Sequence, residues 1–396
     1  MIYDFDKITD RTGSGDLKHE VLEERYGRKD LLPLWVADMD FETPEFITAA
    51  IRQRLTHSLF GYTVEPKEYR PTIQQWIRQQ HHWEIKKEWL TYVPGVVKGI
   101  GMVINVFTQP GDKVIIQPPV YHPFRLTPQR NDRQVVFNPL KQRDDGLYDM
   151  DFEQLAEITD EHCKLLILCN PHNPGGVVWS RDTLIRLAEF CYAHHILVIS
   201  DEIHADLTLF GHQHIPFAAV SKEAEQISIT FQAPTKTFNM AGIVSSYAIV
   251  PNDTIRRRLF RWMEANELNE PDIFAPIATI AAYKSGGEWR RQMLEYIEQN
   301  ILFTEQFVSE NIHGIRVIRP EASFLVWLDC RGLKLDHQAL LDLFINKAHL
   351  ALNDGEMFGV GTNPNVGSGY MRLNVGTPRT ILNQALEQLK SAVSSI

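Results

Sequence analysis

The chain lacks any run of apolar residues near the ~20 needed to cross a bilayer. Its opening segment, MIYDFDKITD, is polar and acidic rather than basic and then apolar. Neither a spanning helix nor a secretory signal is expected, and a soluble cytoplasmic protein is. Cysteine is scarce: Cys163, Cys169, Cys191 and Cys330 are the four in 396 residues, with no C-x-x-C pair. That argues against a disulfide framework and for buried thiols in a reducing compartment. Basic side chains are outnumbered, 40 against 50 acidic ones, giving a formal charge of −10 with no long basic run. Nucleic acid is therefore not an expected partner. Repeats, low-complexity tracts and Ser/Gly linkers are also missing, so no composition shift marks a boundary between domains.

What is present is an ordinary globular composition, 44% hydrophobic and 23% charged, in a chain long enough to divide its core between two packed units. From about residue 94 short apolar runs alternate with amphipathic ones, the pattern of β-α-β units. Strands are expected at LTYV (90–93), KVIIQ (113–117), QVVF (134–137), KLLILCN (164–170), ILVISD (196–201), ISITF (227–231) and SYAIV (246–250). These continuous apolar runs suit a mostly parallel sheet buried on both faces. A crossover helix is expected after Ser180, with Leu184, Leu187, Ala188 and Cys191 on its inner face. Beyond Pro251 the pattern turns to helices at about 252–264, 272–284 and 287–311. IRVI, SFLVWLD, a helix near 336–347 and YMRLNV follow, the order of a smaller α+β unit.

Three polar segments stand at the C-terminal ends of expected strands: Asn170-Pro171-His172-Asn173-Pro174-Gly175-Gly176, Ser200-Asp201-Glu202-Ile203-His204 and Pro234-Thr235-Lys236-Thr237-Phe238-Asn239. Open α/β sheets bind ligands at this edge. A single lysine there is most often a solvated surface residue, and a single aspartate most often a helix cap. Jointly they supply an amine for an imine, a carboxylate for a pyridine nitrogen and an amide donor for a phenolate, the needs of a pyridoxal cofactor.

In this order the three segments resemble the fold-type-I aminotransferase superfamily, specifically its cystathionine β-lyase branch. Trp35-Val36-Ala37-Asp38-Met39-Asp40-Phe41, Phe60-Gly61-Tyr62-Thr63, Pro119-Val120-Tyr121-His122-Pro123-Phe124 and Met371-Arg372-Leu373-Asn374-Val375-Gly376-Thr377 extend the resemblance over nearly the whole chain. The resemblance implies an α/β fold: a large domain, 46–285, with a mostly parallel seven-stranded sheet, and a smaller α+β domain from 1–45 and 286–396. It implies pyridoxal 5′-phosphate as cofactor, with Lys236 as the imine lysine and catalytic base. Asp201 becomes the partner of the pyridine nitrogen and Asn173 the donor to O3′. Tyr121 is expected to stack on the ring, although a turn filled with core aromatics is the alternative. Val96 and Val97, after Gly95 at a helix start, match the phosphate loop, where Lys98 is simply exposed. Thr235, Ser245 and His204 border the same cofactor. Arg372 matches the arginine that grips the substrate α-carboxylate, near Ala37 and Asn173, while Arg379 starts a helix. Tyr62 matches a tyrosine that reaches the phosphate of the neighbouring subunit, which implies a homodimer with shared sites.

Two positions depart from a typical aminotransferase. His204 stands where a tyrosine is usual, and Val244, followed by Ser245 and Ser246, where a phosphate-binding arginine is usual. Both departures point to the β-lyase branch, so the expected reaction is β-elimination on a sulfur amino acid such as cystathionine or cysteine, giving thiol, pyruvate and ammonia. An aminotransferase of the same fold is the alternative, as is a lyase that also binds a transcription regulator. The 15 histidines include His81-His82, His194-His195 and His212-x-His214, which lack companion ligands at metal-site spacing and read as surface or helix-end residues. Gly95-x-x-x-Gly99-x-Gly101 lacks the G-x-G-x-x-G order of a dinucleotide loop. Trp35–Phe41 reads either as a hydrophobic strap or as a border of the substrate pocket.

Overall fold

The computed structural model describes residues 3–396. Among them the seven expected strands join one sheet: β1 (Leu90–Val93), β2 (Lys113–Ile116), β3 (Gln134–Phe137), β4 (Cys163–Cys169), β5 (Leu197–Asp201), β6 (Ser228–Gln232) and β7 (Ser246–Ile249). Their spatial order is β1-β7-β6-β5-β4-β2-β3. Pairing is parallel except at β7, which runs antiparallel to both β1 and β6.

The apolar runs explain why helices cover both faces. Side chains alternate along a strand, so Leu166 and Leu168 of β4 join one core with Leu184, Leu187 and Cys191 of the helix Arg181–Ala193. Leu165 and Ile167 join the opposite core with Ile100 and Val103 of the helix Val96–Phe107 and with Leu259 and Met263 of Asp253–Ala265. Each fully buried leucine contributes about 2 kcal/mol, and Leu187→Ala should cost about 3 kcal/mol through lost contacts and a cavity. Ser180 caps the crossover helix, its Oγ accepting from Thr183 N at 3.1 Å. All four cysteines are buried and free.

A second, antiparallel sheet holds β8 (Arg316–Ile318), β9 (Leu325–Asp329), β10 (Asn353–Asp354) and β11 (Tyr370–Asn374) in the order β8-β9-β11-β10. Leu32–Pro33 pairs in parallel with Leu350–Ala351, so the N-terminal segment is fastened to the C-terminal part of the chain. One apolar cluster contains Phe5, Trp76, Phe238, Trp289 and Phe324, which packs segments from both ends of the sequence around the helix Tyr69–His81. At Gly286, between the helices Ala275–Ser285 and Gly287–Asn311, a Cβ would lie 2.2 Å from the Phe238 ring and from the Ala282 carbonyl. Only glycine fits that approach.

Some local expectations need correction. The helix expected from 272 begins at Ala275, because Asp272 Oδ1 accepts from the backbone of Phe274 (2.6 Å) and Ala275 (2.9 Å) and caps it. The helix near 336–347 closes as a π-helical turn, Leu343–Lys347. His81 and His214 are buried rather than on the surface, each held 2.9 Å from a carboxylate oxygen, His81 by Asp206 and His214 by Glu202. Among the described residues no helix is long and apolar enough to cross a membrane.

Candidate active site

Register aligns the ends of the central strands: Cys169 lies opposite Asp201, and Asp201 opposite Phe231. The loops that follow β4, β5 and β6 therefore leave the sheet side by side. Because β7 is antiparallel, its beginning meets them instead: Ser246 pairs with Val93 and Tyr247 with Gln232. A cavity of about 310 Å³ opens at this edge. Asn173, Asp201, His204, Thr235 and Lys236 line it, with Tyr121 and Ala37 on other sides. Val96, Val97, Lys98 and Ser245 complete its wall.

Lys236 Nζ donates to the Ala37 carbonyl at 2.6 Å. Burial pushes its pKa down to about 8, against the opposing pull of the Asp38 and Asp201 carboxylates. Asp201 ends β5 with its carboxylate buried, and its hydrogen bond comes from Ile203 N at 3.1 Å. Burial raises its pKa to about 7, only partly offset by that N–H. His204 is buried too, its Nδ1 without a partner. Burial, and then the charges of Lys236 and Arg372, lower its pKa to about 3, so the ring is neutral.

Arg372, on β11, sits outside the cavity wall but touches it through Asn173, whose Oδ1 accepts from its Nη1 at 2.9 Å. Its other acceptors, the Trp35 carbonyl at 3.0 Å and Asn353 Oδ1, are also neutral, and Nε has none. Arg372 is 4% exposed with no carboxylate in ion-pair range among the described residues, and burial lowers its pKa to about 10. A buried cation without a counter-ion is costly unless an anion comes to it.

The helix Val96–Phe107 starts at the cavity behind Gly95, whose φ of 108° excludes an unstrained side chain. Gly99 N is the first amide bonded back along this helix, to Gly95 O at 2.9 Å. The amides of Val96, Val97 and Lys98 precede it, and such first-turn amides suit an anion. Ser245 lines the cavity, but its hydroxyl bonds Thr279 Oγ1 and the Ala275 carbonyl (3.3 Å). Tyr62 is not part of this cavity: it is fully exposed on a loop with Leu59, Phe60 and Val64 also exposed. Arg379 opens the helix Arg379–Val393, with its Nε on Asn300 Oδ1 at 2.7 Å.

Two further asparagines border the site through the strap that carries Ala37. Asn239 binds the backbone of Met39 and Phe41, and Asn374 that of Val36 and Asp38. Their signal in sequence is position alone, three residues after Lys236 and two after Arg372.

A family profile described as aminotransferase class I and II matches residues 29–389. The cystathionine β-lyase PatB of Bacillus subtilis is 41% identical over 98% of this chain and all of its own length. Among solved structures, a pyridoxal-phosphate-bound protein of Clostridium difficile 630, provisionally named an aminotransferase, is 41% identical with a TM-score of 0.95 over 99% of this chain and 100% of its own. Cystalysin of Treponema denticola, which contains pyridoxal 5′-phosphate, is 32% identical with a TM-score of 0.94 over 100% of both chains.

Proposed function

The chain belongs to the class I and II aminotransferase family, and on that premise we propose that it is a pyridoxal-phosphate enzyme cleaving the carbon–sulfur bond of cystathionine and related S-substituted cysteines. The observation that carries this reading is the full-length match at 41% identity to a cystathionine β-lyase.

The cavity fits the cofactor. It offers an amine with a lowered pKa, a buried carboxylate short of partners and first-turn helix amides suited to a phosphate. When bound, pyridoxal phosphate supplies an electron sink for the charge left at Cα. Lys236 would hold the cofactor through its amine, and with substrate bound its Nζ would be the base that takes the Cα proton. Asp201 would hold the ring nitrogen protonated, Asn173 would donate to O3′ and Tyr121 would lie against the ring, with neutral His204 nearby. The amides of Val96 and Val97, with Thr235, would hold the phosphate, and Ser245 would border it with its hydroxyl turned to Thr279 and Ala275. Arg372 pairs with the substrate carboxylate beside Ala37, gaining the anion that it otherwise lacks. The thiol leaves from Cβ, and water converts the remaining three-carbon fragment to pyruvate and ammonia.

This reading entails a cytoplasmic homodimer in which each Tyr62 serves the partner's phosphate site. It also divides the chain into a cofactor-binding unit, 46–285, and a covering unit, 1–45 with 286–396. The test is to give the purified, cofactor-loaded enzyme cystathionine with no 2-oxo acid present. Equal amounts of free thiol and pyruvate are expected. Transamination is the second reading, favoured by the name of the Clostridium difficile relative. It wins if product forms only when a 2-oxo acid acceptor is added.

A further inference from the structure

The strap Trp35–Phe41 crosses the cavity as irregular backbone, and nearly every carbonyl along it has a donor. Arg372 Nη2 takes that of Trp35 at 3.0 Å. Asn374 Nδ2 takes those of Val36 and Asp38, at 2.7 and 2.6 Å, while its Oδ1 accepts from Gly376 N at 2.8 Å. Asn239 Nδ2 takes those of Met39 and Phe41, at 2.8 and 2.6 Å, while its Oδ1 accepts from Met39 N at 2.9 Å. Ala37 lies within the Asn374 grip, between Val36 and Asp38, with the Asn239 grip next along the strap, and its carbonyl faces Lys236 Nζ at 2.6 Å.

We propose that Asn239 and Asn374 are positioning residues for Lys236: Asn374, by gripping the strap on both sides of Ala37, and Asn239, by gripping it just beyond, hold the Ala37 carbonyl on the lysine amine and fix where Nζ stands in the cavity. The two grips come from opposite sides. Asn374 is fixed on β11, fully buried, two residues beyond Arg372 and so on the same strand face. Asn239 is fixed in the turn that carries Lys236 itself, three residues on, with φ 48°. The strap thus ties the reacting amine to the guanidinium that receives the substrate, a span over which a displacement of ~1 Å costs about 100-fold in rate. Purely structural asparagines would satisfy the strap without affecting the amine. Here the one strap carbonyl left to the cavity is the one the amine uses.

The inference rests on Lys236 as the reacting group, and its test does not require lyase activity. In cofactor-free protein, trace acetylation of Lys236 across pH, read by peptide mass spectrometry, reports the titration of its amine. The Ala37 carbonyl and the Asp38 carboxylate both favour the charged amine, so releasing the strap should lower the titration midpoint of Lys236. Asn374→Ala and Asn239→Gly are the variants; glycine accepts the positive φ, so only the amide is lost. A lowered midpoint in the variants, with kcat of the loaded enzyme down about 100-fold, is the expected result. A midpoint equal to that of the wild type overturns the proposal, whatever happens to activity. If Asn374→Ala fails to fold, Asn239→Gly decides alone. A wild-type enzyme that makes no pyruvate would sink the lyase reading and leave the labelling result intact.

Discussion

Asp201 and Glu202 are neighbours in sequence, both buried at the end of β5, and their pKa values move in opposite directions. Burial raises that of Asp201 to about 7, because only one Ile203 N–H and the charge of Lys236 oppose it. Burial would raise that of Glu202 as well, but the charge and hydrogen bond of His214 and further donors hold it below the usual carboxylate range. Those donors are Ser200 Oγ at 2.8 Å, Phe217 N at 2.9 Å and Gln232 Nε2 at 3.0 Å. Asp206, a few residues on, is satisfied in the same way by His81 and Trp76. Behind the cavity wall Glu202 and Asp206 are paired, whereas Asp201 and His204 on the wall, and Arg372 just outside it, each keep unfilled capacity. Such a deficit among titratable groups beside a cavity is the mark of a ligand site.

The largest effect should come from removing the charge on the wall. Asp201→Asn preserves shape but not the negative charge, and kcat for pyruvate release should fall about 10³-fold, the scale of a lost preorganised electrostatic contact. The denaturation midpoint should hold or rise, since the acid is unsatisfied without its ligand. A variant that loses stability and keeps its rate would break the comparison. Glu202→Gln should do the reverse. Breaking a buried, hydrogen-bonded pair costs about 3 kcal/mol, visible as a lower urea midpoint, while the cofactor absorbance of the folded fraction persists.

A pH series sharpens the same contrast in the cofactor-free protein. The folded pKa of Asp201 lies above its unfolded value, so the folded state holds the extra proton between about pH 4 and about pH 7. Its contribution to stability is therefore greatest below about pH 4 and is lost as pH rises to about 7. Glu202, with a lowered folded pKa, contributes above its unfolded value and loses that contribution as pH falls. The stability of Asp201→Asn minus that of wild type should thus grow from about pH 4 to about pH 7, measured by urea titration at each pH. A flat difference would mean that Asp201 is not destabilised by ionising.

Much of this was legible in the sequence, for reasons that differ by residue. The seven strands of the large sheet announce themselves because strands buried on both faces need continuous apolar runs. The reversed direction of β7, which brings Ser245 to the cavity, leaves no trace in hydropathy. Asn173, Asp201 and Lys236 were readable because each ends or follows a strand and the chemistry of a pyridoxal cofactor names all three residue types. Asn239 and Asn374 stood inside the same motifs, yet their partners lie 200 and 338 positions away in the strap, and no local pattern signals such a contact. His214 was misjudged for the same reason, since it crosses a loop to reach Glu202, while His81 ends its helix as expected but meets a carboxylate 125 positions away.

The smallest expected effect lies outside both regions, at Ser180. Its Oγ accepts a single backbone N–H, from Thr183, as Asp201 accepts one from Ile203. The count of backbone donors is equal, but Ser180 is exposed, so water replaces the lost acceptor. Ser180→Ala should cost only about 1 kcal/mol of stability and leave kcat unchanged, as thermal denaturation and pyruvate release would record. A loss as large as that of Glu202→Gln would mean that bond count rather than burial sets the cost. The contrast between the cavity wall and the layer behind it would then need another cause.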